Sequence, residues 1–572
     1  FGLNQGFDYY DSPFQAPTDR EADSADLKRL GQDVIRSATT WIDRNASRQF
    51  FVFLHLFDLH TPDNLPASIR KRFFGPRYQA ELAYVDEVLG GFFQYLVKKG
   101  LYEKALIVFT SDHGEGLGDH AENSHGFFIY QSTLAVPLIV RWPKDALGYV
   151  SHVDEPVSLM GIAPTILAVT GAPQPASFKG KSLLALARGR KSPSSEEIYA
   201  ESYYGRSHFN TSSLWSLRKG RHKYIHAPKP EFYDLQTDPG ERTNLWTARR
   251  SEAQAYQKRL TDLRSTRRTG PGTAKPNPEV VARLRSLGYL AGSSKSQPPR
   301  DTGADPKDRI ADYEAYRRAV TLSSVNRLTE ANRLLTTILS KDPALLDVHM
   351  LLGLNFHKLN KHEQAVSAFR QILKTAPANV PAHFYLANSY LELKKQTEAI
   401  TELEAALAAA SGPGREWQQI TVPSEELLAR LLLERKEYDR ARAHYDNLLS
   451  VDSSNYEAHY NLAWLAAREQ RLPDGVRHLQ AAIRARPADA AARNALGGLY
   501  LRLGRLPEAE KELQEAVRLD GNSPWALYNL GLVLRRRGDR ENAAVQFKRA
   551  LQVEPGFRPA QQALDQLRPA AP

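Results

Sequence analysis

Leu352-Gly353-Leu354-Asn355-Phe356, followed by Ala365, Phe369 and Pro377, is the fullest copy of a pattern that organises the C-terminal half of the chain. Small residues recur at Ala319, Gly353, Ala387, Ala429, Ala463, Gly497 and Gly531, in steps of 34, 34, 42, 34, 34 and 34 residues. Twelve residues behind them runs a second series, Ala331, Ala365, Ala399, Ala441, Gly475, Ala509 and Ala543. The single step of 42 places an eight-residue insertion around Gly412-Pro413-Gly414-Arg415. Pro343, Pro377, Pro487 and Pro555 fall on the same grid. The physical reading is two antiparallel helices per unit, packed closely where small residues meet, with proline stopping the second helix. An irregular helical bundle is the alternative.

Upstream, Thr269 to Pro278 and Gly292 to Arg300 are rich in Gly, Pro, Ser and charge without periodicity, which reads as linker. Val280 to Leu290 between them is expected to dock as a short helix. The chain has a formal charge of +11, and Arg249 to Arg300 alone holds 12 Lys/Arg against 3 Asp/Glu. Basic charge gathered in one segment without interleaved aromatics reads as a solvated linker face, and no nucleic-acid partner is expected.

With 572 residues, 42% of them hydrophobic and 25% charged, the chain has room for two to four ordinary domains. No run approaches the roughly 18 apolar residues of a membrane helix, so no transmembrane segment is expected in this chain. The absence of cysteine excludes disulfides, thiolate metal sites and cysteine nucleophiles.

Residues 1 to about 250 have another texture. Phe50 to Leu56, Ala105 to Thr110 and Val136 to Val140 are short apolar runs. A helical pattern from Gln79 to Lys99, with Leu82, Val85, Leu89, Phe92 and Leu96 on one face and Gly100 as its cap, separates the first two. Greasy strands alternating with helices predict a parallel sheet covered on both sides. Sites in such sheets lie beyond the carboxyl ends of the strands. There the sequence reads Phe57-Asp58-Leu59-His60, then Ser111-Asp112-His113-Gly114-Glu115-Gly116-Leu117-Gly118-Asp119-His120, then Ser124-His125-Gly126. Carboxylates beside imidazoles are metal-ligand chemistry, and further imidazoles bind anions or move protons.

These motifs, with Val136-Pro137-Leu138-Ile139-Val140-Arg141 and Phe232-Tyr233-Asp234 through Trp246, resemble the sulfatase branch of the alkaline phosphatase superfamily. The repeats at 309–565, about seven units, resemble the tetratricopeptide repeat (TPR). The fold class implied is α/β, an alkaline-phosphatase-like sheet covered by helices, followed by an all-α TPR superhelix. The expected domains are 1–250 sulfatase-like, 251–308 linker and 309–565 repeats.

Residue by residue, the sulfatase resemblance implies that Asp112 and His113 are metal ligands. Many sulfatases hold Ca2+ with Asn at the second position, and His113 suits Mn2+ or Zn2+ better. His60 matches the histidine at the ester or leaving-group oxygen, and His125 the cationic residue directed at the substrate anion. Glu115, Asp119 and His120 are candidates for supporting these groups, whereas His55 is unassigned. Gly2 to Asp11 resembles an internal stretch of the family. The nucleophile, a formylglycine made from Cys or Ser in a Cys/Ser-x-Pro-x-Arg motif, and two further aspartates are therefore expected in a missing N-terminal part. The literal match Ser296-Gln297-Pro298-Pro299-Arg300 sits in the linker and reads as chance.

The activity implied is metal-dependent hydrolysis of sulfate esters, with this fragment inactive alone and a protein or peptide partner on the TPR groove. Two alternatives stay open. One is a phosphodiester or phosphonate hydrolase or phosphoethanolamine transferase of the same superfamily, acting on a phosphoester. The other is a pseudoenzyme serving as a TPR scaffold. Because sulfatase relatives are often exported, the resemblance favours a periplasmic or other extracytoplasmic location.

Overall fold

The computed structural model describes residues 6–11, 29–60, 67–72, 76–146, 148–190, 196–267, 303–410 and 417–567. The expected docking helix at Val280 to Leu290, the Ser296 to Arg300 match, the insertion at Gly412 to Arg415 and the opening residues 2–5 lie outside these. The chain divides into two compact units, one formed by residues 1–206, 211–273 and 301–310 and the other chiefly by 311–572.

In the first unit, helix α1 (Gly31–Asn45) and helix α2 (Arg77–Lys98) pack together through Ile42, Phe92 and Leu96. Helix α2 ends as its sequence predicts. Gly100 adopts φ +65°, and the amides of Gly100 and Leu101 donate to the carbonyls of Val97 and Leu96 at 3.0 and 2.9 Å. Of the expected apolar face, Val85, Phe92 and Leu96 are buried, but Leu82 is 50% exposed and Tyr84 takes its place in the core.

The expected parallel sheet is not formed among the described residues. Strand β1 (Ile107–Thr110) pairs antiparallel with β2 (Leu138–Arg141), Val108 opposite Val140. A parallel return needs a crossover, usually a helix. The connection between these strands contains one four-residue helix, Gln131–Leu134, and doubles back. Phe50 to Leu56 is extended but forms no ladder. Its alternation is still used, since Val52 and Leu54 lie on the α1/α2 core while Phe51 and Phe53 are 58% and 69% exposed. The expected cover on both faces is also absent among the described residues. Phe109 and its partner Ile139 are exposed, because apolarity on both sides of a short strand does not tell which side is packed.

Further along, helix α3 (Ile162–Thr170) precedes a four-stranded antiparallel sheet of β3 (Glu197–Ser202), β4 (Leu214–Lys219), β5 (His222–His226) and β6 (Glu231–Asp234) in sequential order. Trp215, Leu217, Tyr224 and Phe232 form its core with Ala253 and Leu260 of helix α4 (Arg250–Arg267). The start of the basic segment read as linker is thus a helix seated on this sheet, with Arg264 stacked 3.4 Å over the Trp215 ring.

The second unit is helical throughout its described residues. From Ile310–Ser324 and Leu328–Lys341 to Pro524–Arg536 and Arg540–Val553 it comprises seven helix pairs, followed by Arg558–Asp565. The repeated small residues mark the closest approaches within pairs. A Cβ on Gly353 would lie 2.6 Å from Phe369, and one on Gly531 would lie 2.5 Å from Phe547. Those rings occupy the space the missing side chains leave.

Candidate functional site

The loop after β1 is held tightly. Gly114 and Gly116 donate from their amides to the carbonyls of Thr133 and Ser124 at 2.8 and 2.7 Å. A Cβ at either would sit 2.3 or 2.2 Å from a backbone oxygen, so only glycine permits this approach. Leu117, Gly118, His120, Ala121 and Gly126 all adopt positive φ, which winds the segment into a compact turn. Buried Glu122 fastens the far end by accepting from the Phe127 amide at 2.8 Å.

This turn brings His113 and His125 into a stack with ring centroids 3.9 Å apart. His60, on the short 3₁₀ turn Asp58–His60, comes from the other loop to 5.1 Å from His125 and 6.2 Å from His113. One ring nitrogen from each of the three lies within 4.8 Å of the others, a spacing on which a metal ion could be held. Asp112 stands beside them, its carboxylate 79% exposed and 3.8 Å from His113 Nε2. Three of the four residues taken from the sequence, His60, His113 and His125, therefore come together from two loops separated by about 50 residues, while Asp112 stays at the rim.

The imidazoles are oriented by their neighbours. His113 Nδ1–H donates to the Gly114 carbonyl at 2.9 Å, and His125 Nδ1–H donates to Glu115 Oε2 at 2.9 Å. Carbonyl and carboxylate only accept, so each neutral ring carries its lone pair on Nε2. That is the tautomer a metal-binding histidine takes when its other nitrogen is fixed by an acceptor. Glu115 thus fixes the orientation of the His125 ring. Asp119 and His120 do not belong to the site. Asp119 pairs with Arg242, and His120 stacks on Tyr130 at 3.6 Å while its Nε2–H donates to the Gly240 carbonyl. His55 is exposed and packs edge-on to Phe57.

A buried polar network around residues 129–131 went unread in the sequence. Lys223, on β5 and 1% exposed, donates to the Ile129 carbonyl at 2.6 Å and pairs with Glu241, also 1% exposed, at 2.7 Å. Burial pulls the Lys223 ammonium below the usual lysine range, opposed by Glu241. The other oxygen of Glu241 accepts from the Gln131 amide, and Arg218 reaches the Gln131 side chain at 2.8 Å. Tyr130 and Tyr233 both donate to buried Glu231, and burial with that carboxylate beside them pushes both phenols far up. This network pins residues 129–131, just beyond His125, to the second sheet. Its only sequence signal is charged residues inside strands, which a solvated edge explains equally well.

Comparison with known proteins agrees with this geometry. Residues 2–172 match the sulfatase family and residues 123–267 the C-terminal domain of N-sulphoglucosamine sulphohydrolase. Residues 350–414, 427–476, 470–524 and 525–556 match tetratricopeptide repeats. The N-terminal part of the chain is sulfatase-like and the C-terminal part is a tetratricopeptide array. Among similar curated proteins, mouse steryl-sulfatase is 28% identical over 47% of this chain and 48% of its own length. Mouse arylsulfatase K is 31% identical over 30% of this chain and 32% of its own. The multifunctional alkaline phosphatase superfamily protein PehA of Trinickia caryophylli is 33% identical over 29% and 35%. The chain spans from a third to about half of the length of these relatives.

Proposed function

We propose that the N-terminal part, through helix α4, carries a divalent-metal site for hydrolysis of sulfate esters, and that the repeats at 309–565 engage a protein or peptide. The observation supporting this reading is the convergence of His60, His113 and His125, with Nδ1 of the latter two engaged by fixed acceptors.

The donor set fits a transition metal. Asp112 and His113 would hold it, and imidazole favours Mn2+ or Zn2+ over Ca2+, which prefers oxygen. When bound, such an ion supplies charge that draws electrons from a sulfuryl oxygen. The chain's own residues do the rest. His125, turned by Glu115, would as an imidazolium donate Nε2–H to the ester's anionic oxygens. His60, on the opposite loop, would donate a proton to the departing alcohol oxygen when a nucleophile outside these residues forms the new bond to sulfur. Cysteine is absent, so no formylglycine can arise from it here. These side chains bind the ester and assist its leaving group without supplying the attacking atom, and the 572-residue chain is expected to bind aryl sulfate without turning it over.

A phosphodiester substrate is the second reading, for which the imidazole of His113 leaves room. Titration of Mn2+ into the chain tests the site: saturable 1:1 binding, weakened at least 10-fold by Asp112→Ala and His113→Ala, is expected, and absence of binding overturns the proposal. With metal bound, tighter association of 4-nitrophenyl sulfate than of bis(4-nitrophenyl) phosphate supports the sulfatase reading. The reverse order supports the second.

A further inference from the structure

In the repeat array the first helices of neighbouring pairs touch one another directly: Leu346–Lys358 meets Val380–Glu392, Val380–Glu392 meets Gln418–Glu434, and Ala490–Arg502 meets Pro524–Arg536. The second helices make no comparable approach. First helices therefore line the inner side of the curve.

Charge on that inner row is divided by position. The first helices of the last three pairs, Tyr456–Arg468, Ala490–Arg502 and Pro524–Arg536, carry Arg468, Arg493, Arg502, Arg535 and Arg536 against one acid, Glu457, a balance of +4. The three first helices before them carry five acids against Lys358 and Arg430, a balance of −3. The second helices of the last three pairs are nearly neutral, with seven Lys/Arg and six Asp/Glu. The basic excess is thus a property of the first helices.

Arg493 is neutralised by Glu512 at 2.8 Å. The other four have no carboxylate partner among the described residues. Arg502 Nη2 donates to Gln470 at 2.9 Å and to the Ala467 carbonyl at 3.3 Å, and Arg536 repeats this one unit later on the Leu501 carbonyl at 2.8 Å. Arg468 lies 3.7 Å over the Tyr438 ring, and Arg535 donates to Gln566 at 2.8 Å. Each guanidinium has five N–H donors, and these contacts hold the fork in place without cancelling its charge. On the same helices Trp464 and Trp525 are 50% and 54% exposed.

We propose that the inner face of residues 456–536 binds an extended acidic protein segment, its carboxylates taken by Arg468, Arg502, Arg535 and Arg536. A protein segment fits better than a uniformly sulfated polysaccharide, because the row continues into the acidic stretch at Glu392, Glu426 and Glu434, which repels a polyanion and suits a chain with basic residues beyond its acidic ones.

The test is fluorescence anisotropy of the whole 572-residue chain with a fluorescein-labelled twelve-residue glutamate-rich peptide. The expected result is salt-sensitive binding that Arg502→Gln with Arg536→Gln weakens at least 10-fold, while Arg484→Gln with Arg549→Gln, on second helices, changes it less than 2-fold. Circular dichroism melts check folding, and Arg535→Gln, which touches only a side chain, is the second variant should the pair melt early. Equal losses from inner and outer variants, or binding no tighter than that of a serine-rich peptide, overturn the proposal. So does a heparin fragment that binds through the same arginines where the peptide fails.

Discussion

His125 Nδ1 lies 2.9 Å from Glu115 Oε2, and both side chains are nearly buried, at 13% and 14% exposed. The pair joins two points of one loop ten residues apart and sets which nitrogen of His125 faces the other two histidines. Removing a group that orients a metal-site imidazole typically costs about 10- to 100-fold in affinity. Glu115→Ala is expected to weaken Mn2+ or aryl sulfate binding by about 10-fold with a small change in melting temperature. Unchanged affinity in a calorimetric titration would remove His125 from the site.

Lys223 and Glu241 form a different kind of pair. Both are out of water, and breaking a buried ion pair from one side leaves an uncompensated charge costing about 3–5 kcal/mol, whereas replacing both by apolar groups costs less. Lys223→Met is therefore expected to lower stability by about 3 kcal/mol in urea unfolding, and Lys223→Met with Glu241→Leu by less than either single change. Additive losses would mean that the two residues do not act as a pair.

How much of this was legible in the sequence depends on the range of the interactions. The repeats were legible because each Gly or Ala is dictated by a neighbour at fixed spacing, as Gly353 is by Phe369. The proximity of His60, His113 and His125 was legible because the loops that carry them follow apolar runs, whether or not those runs form a ladder. The antiparallel pairing of β1 and β2 was not, since both directions use the same greasy residues and the connection between them has no periodicity. Nor was the separation of Glu115 from Asp119 and His120. All three sit in one polar stretch, and the run of positive φ angles at Leu117, Gly118, His120 and Ala121 turns the latter two away, toward Arg242, Tyr130 and Gly240.

Two glycines of the array give opposite expectations. At Gly531 an added Cβ would meet the buried Phe547 ring at 2.5 Å, so Gly531→Ala forces the core apart at about 1–3 kcal/mol, against roughly 1 kcal/mol gained in helix propensity. At Gly498 the nearest atom, Asn529 Nδ2, is 4.0 Å away, an ordinary contact. Gly498→Ala is expected to stabilise by up to about 1 kcal/mol. Chemical denaturation of both variants checks the contrast, and stabilisation at both positions would show that Phe547 moves aside freely.

Asp58 couples the His60 turn to α1 and makes stability depend on pH. Its Oδ1 accepts the Gly31 amide at 2.9 Å at the start of that helix, while Oδ2 is buried without a hydrogen-bond partner. Burial raises the carboxyl above its ordinary value, opposed by the Gly31 amide. The folded protein therefore binds this proton more readily than the unfolded chain, whose Asp titrates near about 3.9. As pH rises from that value through the raised one, stability falls, and the loss persists at neutral pH. Asn at this position keeps an acceptor for Gly31 and never ionises, and a neutral amide costs less to bury than a carboxylate. Asp58→Asn is accordingly expected to raise the melting temperature at pH 7, with the gain shrinking to nothing below about pH 4. A gain that instead grows toward acid pH would reverse the sign and show that the buried carboxylate is favourably paired in the folded protein.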